Sequence, residues 1–286
     1  AAQTNVTYAL TTATGTADVL GLTLGTGTTT AAATGVSGTL TVTGFETLNL
    51  VANPGPTATV GTNKTSTVSA LTGATLSKVT LTGTAFSLTN AATTVAATFD
   101  ASALTGDGTT AGSQGLTIGG SLVSGSTVTG SNFIDTVTIG AIGSTYNTGL
   151  GDDAISGTQS ALLGSVVNAG LGTDTLTLND TGSVTFSDNT LTNVSGVEKL
   201  AFSAATDLTF AVGGYANALA TANAGVLDIT AAALTAAATI DGTGLSSSNA
   251  LKLTLTNSDA SANATATTIT LSQGADNIKI TQSGIV

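Results

Sequence analysis

Threonine alternates with valine, isoleucine or leucine in short runs along the whole chain. The clearest runs are GTLTVTG at 38–44, KVTLTG at 78–83, DTVTIG at 135–140, DTLTLND at 174–180, LKLTLTN at 251–257 and TTITLS at 267–272. This period of two places aliphatic side chains on one face and hydroxyls on the other, as in half-buried β-strands. The pattern predicts an all-β chain. The exception is 213–227, where alanines and a leucine predict a short helix that stops at Gly225.

The composition excludes several classes of function. The chain has no cysteine or histidine, which removes disulfides, Cys/His zinc sites and Ser-His-Asp triads. Its 16 acidic residues and 5 lysines give a net charge of −11, so nucleic acids and anionic membranes are poor partners and cations are favoured. Threonine and glycine interrupt every apolar stretch, and we expect no membrane-spanning segment. We expect a secreted protein that is not an enzyme.

Two glycine-rich turns carry closely spaced aspartates. TGLGDDAIS at 148–156 and AGLGTDTLT at 169–177 match the calcium-binding β-helix repeat G-G-x-G-x-D-x-U-x, except at their first positions. Glycine permits the tight turn, and aspartate adds a hard anionic oxygen of the kind that Ca²⁺ prefers. The predicted calcium ligands are therefore Gly149, Gly151, Asp152, Asp153, Gly170, Gly172 and Asp174, with Asp135 as a weaker match. Two ordinary Gly-Asp turns are the alternative.

The spacing of the aspartates predicts how these turns stack. Asp135 and Asp153 are 18 residues apart, which is two nine-residue periods and one full coil of such a roll. Ser144 stands where the intervening period would have its aspartate. Asp174 follows Asp153 by 21 residues, so we expect a three-residue insertion to be absorbed within 155–168.

Acidic residues also indicate an internal repeat. The only two glutamates occupy similar segments, GFETLNL at 44–50 and GVEKLAF at 196–202. The series Asp18, Glu46, Asp100, Asp135 is matched by the series Asp174, Glu198, Asp241, Asp276. We interpret the chain as a first β-rich unit at 1–129, calcium-binding turns at 130–173 and a second β-rich unit at 174–286. The whole is expected to be a fragment of a longer protein.

The remaining acidic residues suggest structural roles. Neither glutamate has a partner base or nucleophile nearby in the sequence, so we expect each to bind backbone amides of a turn or to complete a calcium shell. We expect turn or cap positions for Asp107, Asp180, Asp188, Asp207 and Asp259.

The combination of GLGDDAIS, GLGTDTLTL, GFETLNL and FDASALTG in a cysteine-free, threonine-rich background resembles RTX-type surface-layer proteins of Gram-negative bacteria, exported by a type I route. The resemblance implies a calcium-dependent β-rich protein that assembles with itself into a lattice on the cell surface. It also implies anchoring to lipopolysaccharide through a domain that this sequence does not contain. Large RTX adhesins and biofilm-matrix proteins have the same elements, so a calcium-stiffened adhesin segment is the alternative function.

For the fold, we predict a parallel β-solenoid or β-roll, at least over 130–178. Aliphatic side chains would fill its interior and threonines would cover its outer faces. Tandem β-sandwich domains joined by the calcium turns remain the alternative, because a period of two is common to both architectures.

Overall fold

The computed structural model describes residues 4–12, 15–25, 35–53, 65–108, 113–120, 122–140, 142–257 and 267–282. Its strands are β1 (Val6–Ala9), β2 (Val19–Leu24), β3 (Gly35–Thr43), β4 (Thr47–Ala52), β5 (Thr65–Gly73), β6 (Lys78–Gly83), β7 (Ala85–Leu88), β8 (Ala91–Thr93), β9 (Thr98–Leu104), β10 (Gln114–Ile118), β11 (Thr127–Thr129), β12 (Ile134–Thr138), β13 (Thr145–Asn147), β14 (Ala154–Gly157), β15 (Val166–Asn168), β16 (Thr175–Leu178), β17 (Gly182–Phe186), β18 (Val194–Ser195), β19 (Lys199–Phe202), β20 (Ala205–Ala211), β21 (Val226–Leu234), β22 (Ala238–Asp241), β23 (Ala250–Asn257), β24 (Thr268–Thr270) and β25 (Asn277–Gln282). The helices are α1 (Gln159–Leu162), a 3₁₀ turn (Asp188–Leu191) and α2 (Gly214–Ala222).

The chain divides into two compact units. Unit 1 comprises Ala1–Ala154 and Gly164–Gly172, and unit 2 comprises Ile155–Leu163 and Thr173–Val286.

Unit 1 is a coil that visits two parallel sheets in turn. One sheet has the order β1-β3-β5-β7-β10-β12, with β8 also paired to β5, and the other has the order β2-β4-β6-β9-β11-β13-β15. Apart from β7 and β8, which both pair with β5, successive strands fall in alternate sheets, and each strand pairs with one from the next coil. The inward positions are aliphatic or aromatic, as at Leu40, Leu48, Phe86 and Phe99, all of which are fully buried.

Unit 2 has the same winding. Its strands alternate between a sheet of order β16-β19-β21-β23-β25 and a sheet of order β17-β20-β22-β24. Phe202 on β19 contacts Phe186 on β17 edge to face, with ring centroids 5.2 Å apart, and Phe186 contacts Phe210 on β20 at 4.9 Å. This buried aromatic cluster packs the inner faces of the two sheets against each other, so their outer faces point in opposite directions.

The predicted all-β solenoid is confirmed, and it extends well beyond 130–178. Within the described residues, each strand pair in these sheets is parallel. Examples are Val6–Ala9 with Leu40–Thr43 and, near the other end of the chain, β23 with β25. β-Sandwich domains are built from antiparallel strands, so the alternative architecture does not apply.

Helices are few, and the longest lies where the sequence predicts one. α2 begins after Gly213 and ends near Gly225, whose φ of +84° allows its N–H to donate to the Ala220 carbonyl at 2.8 Å. α1 was not predicted. It is a single turn within the segment where the three-residue insertion is expected. No helix in the described ranges is long and apolar enough to cross a membrane.

Candidate functional site

The Gly-Asp turns of unit 1 stack on one edge of the coil. The amide of Asp135 donates to Oδ1 of Asp153 at 2.8 Å, and the amide of Leu150 donates to the carbonyl of Ser131 at 3.3 Å. Residues 18 positions apart are thus direct neighbours on consecutive coils. The interval predicted from the aspartate spacing is confirmed as one coil.

The glycines of these turns are required by close backbone approach. Gly149, Gly151, Gly170 and Gly172 all have positive φ, between +99° and +151°. A Cβ atom at Gly170 or at Gly172 would lie 1.9 Å from the carbonyl oxygen of Gly149 or Gly151, respectively. The turns therefore bring backbone oxygens of one coil against the bare Cα atoms of the next.

The two departures from the repeat motif occupy equivalent positions and contact each other. Thr148 and Ala169 stand where the motif has its first glycine, and both are buried. The Thr148 hydroxyl donates to the Ala169 carbonyl at 2.7 Å. The threonine therefore adds a hydrogen bond between coils at a position where glycine would add none.

Asp135 accepts three hydrogen bonds. Oδ1 accepts from the amide of Leu116 at 2.6 Å and from the hydroxyl of Ser131 at 2.8 Å, and Oδ2 accepts from the amide of Ser131 at 2.6 Å. The side chain is fully buried. Burial raises the pKa of Asp135 to about 6 although the donors of Ser131 and Leu116 act in the opposite direction. These donors hold the Asp135 carboxylate between neighbouring coils, and its role as a calcium ligand stays a prediction.

Asp153 and Asp174 have a different local environment. Each is at most 1% exposed, and the residue four positions earlier is glycine (Gly149 or Gly170) rather than the serine that precedes Asp135. Glycine has no hydroxyl to donate to the carboxylate. Carboxylate and backbone carbonyl oxygens are the donor types that Ca²⁺ prefers, and these turns contain both.

Side chains alone do not form a metal site at these turns. Within the residues described, no three acidic, histidine or cysteine side chains cluster in a way that could hold a metal. A calcium ion at either turn would therefore take most of its ligands from the glycine carbonyls. Asp152 is exposed and lies in an open groove that Asn132 and Phe133 also line, outside the buried stack.

The two glutamates bind backbone amides, as one of the two predicted roles requires. The amide of Asp18 donates to Oε2 of Glu46 at 2.8 Å, and the amide of Asp174 donates to Oε2 of Glu198 at 2.6 Å. In return, each glutamate amide donates to the carbonyl of its aspartate at 3.1 Å. Each pair thus joins the start of one strand to the start of the strand on the next coil.

The other two pairs of the acidic series also share their geometry. Asp100 accepts from the amide and hydroxyl of Ser102 at 3.1 and 2.7 Å, and Asp241 accepts from those of Thr243 at 3.0 and 2.7 Å. Asp276 repeats Asp135: it accepts from the amide and hydroxyl of the serine four positions earlier and from the amide of Leu251 on the neighbouring coil. All four pairs therefore have matching hydrogen bonds.

Most of the isolated aspartates serve as caps or turn residues, as predicted. Asp188 accepts from the amides of Gly213, Tyr215 and Ala216 at the start of α2. Asp180 accepts from the amide of Gln159 at the start of α1, and Asp107 accepts from the amide of Gln114 and the hydroxyl of Ser113. The prediction is wrong for Asp207, which lies within β20 and accepts from the hydroxyl of Ser183 on the neighbouring strand. Asp259 lies outside the described residues.

A buried serine column on the opposite edge was not anticipated. The column consists of Ser126, Ser144 and Ser165, which immediately precede β11, β13 and β15. Each is 1% exposed. The Ser126 hydroxyl accepts from the amide of Ala97 and that of Ser165 accepts from Gly143, each at 3.1 Å. Ser144 is therefore part of this column and not a lost aspartate. The signal was present as Gly-Ser pairs at 125, 143 and 164.

Comparison with protein-family models, with curated proteins and with solved structures gave no significant match.

Proposed function

We propose that this chain is an extracellular structural protein that assembles with itself into a surface layer and that uses calcium to stabilise its Gly-Asp turns. The observation that carries the proposal is the in-register outer face of the parallel coil. The second sheet of unit 1 presents one outward residue per strand in a continuous row: Val19, Thr47, Lys78, Thr98, Thr127, Thr145 and Val166.

Such a face is suited to close packing between subunits. Strands about 4.8 Å apart place these side chains in a regular row. Lys78 is the single charged residue in that row, and the others are threonine or valine. Bringing two such faces together would leave few ions to desolvate, which is a major cost of burying charged surfaces. Contacts between different faces need not close into a ring and can extend indefinitely.

Calcium is assigned to the turns of Asp153 and Asp174. The carboxylates would act with the carbonyls of Gly149 and Gly151, or of Gly170 and Gly172, as ligands. Bound calcium supplies positive charge beside a buried carboxylate, and the folded state alone presents the assembled site. Calcium should therefore raise the stability of the folded state.

The experiment is electron microscopy of the purified chain at matched concentration, with millimolar calcium and with chelator. Sheets or filaments that form with calcium and disperse with chelator are the expected result. Dispersed particles in both conditions would refute self-assembly and leave the calcium-stiffened adhesin segment as the better explanation. Equal assembly with calcium and with chelator would refute only the role of the ion.

The double variant Asp153→Asn/Asp174→Asn tests the assignment of the site. It keeps the side-chain shape and removes both charges, so we expect assembly to need at least about tenfold more calcium. The control is Asp100→Asn/Asp180→Asn, which removes the same charge from residues that accept hydrogen bonds from Ser102 and Gln159. Equal calcium requirements for the two double variants would place the ion elsewhere.

A further inference from the structure

The outer face of one sheet of unit 2 concentrates the lysines of the chain. Lys199 on β19, Lys252 on β23 and Lys279 on β25 all point outward, and they are three of the five lysines in a chain of net charge −11. Asp228 on β21 lies between Lys199 and Lys252 in the ladder and pairs with Lys252 at 2.7 Å. This lysine face therefore has a net charge of +2.

The opposite outer face of the same unit is acidic. Asp207 on β20 and Asp241 on β22 point outward from the other sheet, where no lysine occurs within its described strands. Hydrogen bonds from Thr243 lower the pKa of Asp241, so this carboxyl is ionised at neutral pH. The aspartate face, defined by Asp207 and Asp241, has a net charge of −2.

The rest of each face is small and uncharged. Four exposed threonines form one row across the aspartate face: Thr185, Thr209, Thr239 and Thr268. On the lysine face the row that ends at Lys279 consists of Thr177, Ala201, Thr230 and Thr254. No bulky side chain in these rows would prevent the approach of another sheet to the charged groups.

We propose that the lysine face of one copy docks on the aspartate face of a second copy of this chain. Opposite charges on opposite sides of one unit favour head-to-tail stacking, because each bound copy presents the same free face again. Two lysine faces or two aspartate faces would repel each other. The proposal rests on the self-assembly proposed above and specifies the contact that drives it.

Charge reversal on each face separately tests this contact. Lys199→Glu/Lys279→Glu makes both faces of unit 2 acidic, and Asp207→Lys/Asp241→Lys makes both faces basic. Each variant alone should fail to assemble, with a critical concentration at least about tenfold above that of the wild type. An equimolar mixture of the two should assemble, because every acidic face then meets a basic one. Asn193→Glu, at an exposed position just before β18 and on neither of the two faces, is the control and should assemble normally.

The outcomes separate this contact from self-assembly itself. The readouts are sedimentation and electron microscopy at low salt, with circular dichroism to establish that each variant is folded. If the wild type assembles and the reversed variants do too, or if the mixture is no better than its components, the docking of these faces is wrong and self-assembly stands. If the wild type does not assemble under any condition, the proposed function fails first.

Discussion

At the scale of single residues, carboxylates in this protein are hydrogen-bond acceptors for the backbone of the neighbouring coil. Asp135 and Asp276 have the same donors, a serine four positions earlier and an amide one coil away, yet their pKa values move in opposite directions. Burial outweighs the donors at Asp135 and raises its pKa to about 6. Asp276 also loses solvation, but it is only half-buried, and the donors of Ser272 and Leu251 keep its pKa below the usual range.

The pKa of Asp135 predicts a stability that falls as pH rises. Its folded pKa of about 6 lies above the ordinary value of 3.8, so the folded state binds more protons between these values. The free energy of unfolding should drop by about 3 kcal/mol across this window from this group. Urea unfolding in the presence of chelator, at about pH 4 and about pH 7, measures this change in the free energy of unfolding. Asp135→Asn should remove most of this dependence, and an unchanged pH profile would show that another group titrates.

Removal of a glutamate acceptor should destabilise its turn. In Glu198→Ala the amide of Asp174 loses its 2.6 Å partner, and a part-buried donor without an acceptor costs about 1–3 kcal/mol. Glu198→Gln retains a carbonyl oxygen at the same place and should lose less than half as much. Denaturant midpoints of both variants provide the comparison, and equal losses would mean that the charge, not the acceptor, stabilises the turn.

At the scale of elements, the turns between strands need glycine where two coils approach each other. Gly170→Ala and Gly172→Ala combine a positive φ with a Cβ that would lie 1.9 Å from a backbone oxygen. We expect each to lower the free energy of unfolding by about 2 kcal/mol or more, because backbone cannot move aside as a flexible side chain can.

Two other glycines separate the causes of this effect. A Cβ at Gly182 meets nothing within 4 Å although its φ is +76°, so alanine there adds backbone strain alone. Gly21 on β2 also has nothing within 4 Å and no positive φ, and alanine there should be neutral or stabilising. Thermal or urea unfolding of the four alanine variants should show the smallest loss of stability at Gly21, a larger loss at Gly182 and the largest losses at Gly170 and Gly172. A Gly172→Ala protein as stable as Gly21→Ala would contradict the stacking of the turns.

At the scale of the whole molecule, a chain without cysteine depends on regular hydrogen bonding and on what it binds for its stability. Calcium should raise the midpoint of thermal unfolding, by an amount that grows with ion concentration, because only the folded chain presents the turns of Asp153 and Asp174. Differential scanning calorimetry over a range of calcium concentrations measures this shift. Magnesium at equal ionic strength is the control, and an equal shift with both ions would indicate screening of the −11 charge rather than a site.

Much of the architecture was predictable because strands and coils are periodic. Alternation of threonine with aliphatic residues is a local property, and it predicted the strands and their inward faces. The 18-residue interval between Asp135 and Asp153 predicted which turns stack, because two nine-residue periods make one coil there. Elsewhere the coils are longer, as in the pairings of Val19 with Thr47 and of Thr145 with Val166. The series of acidic residues likewise predicted four matched pairs, all of which have matching hydrogen bonds. The helix near 214–222 followed from its alanine content and from Gly225.

The roles of individual side chains depended on residues from other coils. Asp135 and Asp153 look alike in the sequence, but Ser131 and Leu116 donate to the carboxylate of the first. The second accepts from the amide of Asp135 on the previous coil and has glycine in place of that serine. Likewise, Lys199 and Lys252 are distant in the sequence yet share one face, whereas Asp207 follows Lys199 closely in the sequence and belongs to the opposite face. Periodicity is set by neighbours along the chain, whereas burial, hydrogen-bond saturation and surface charge are set by neighbours one coil away or more.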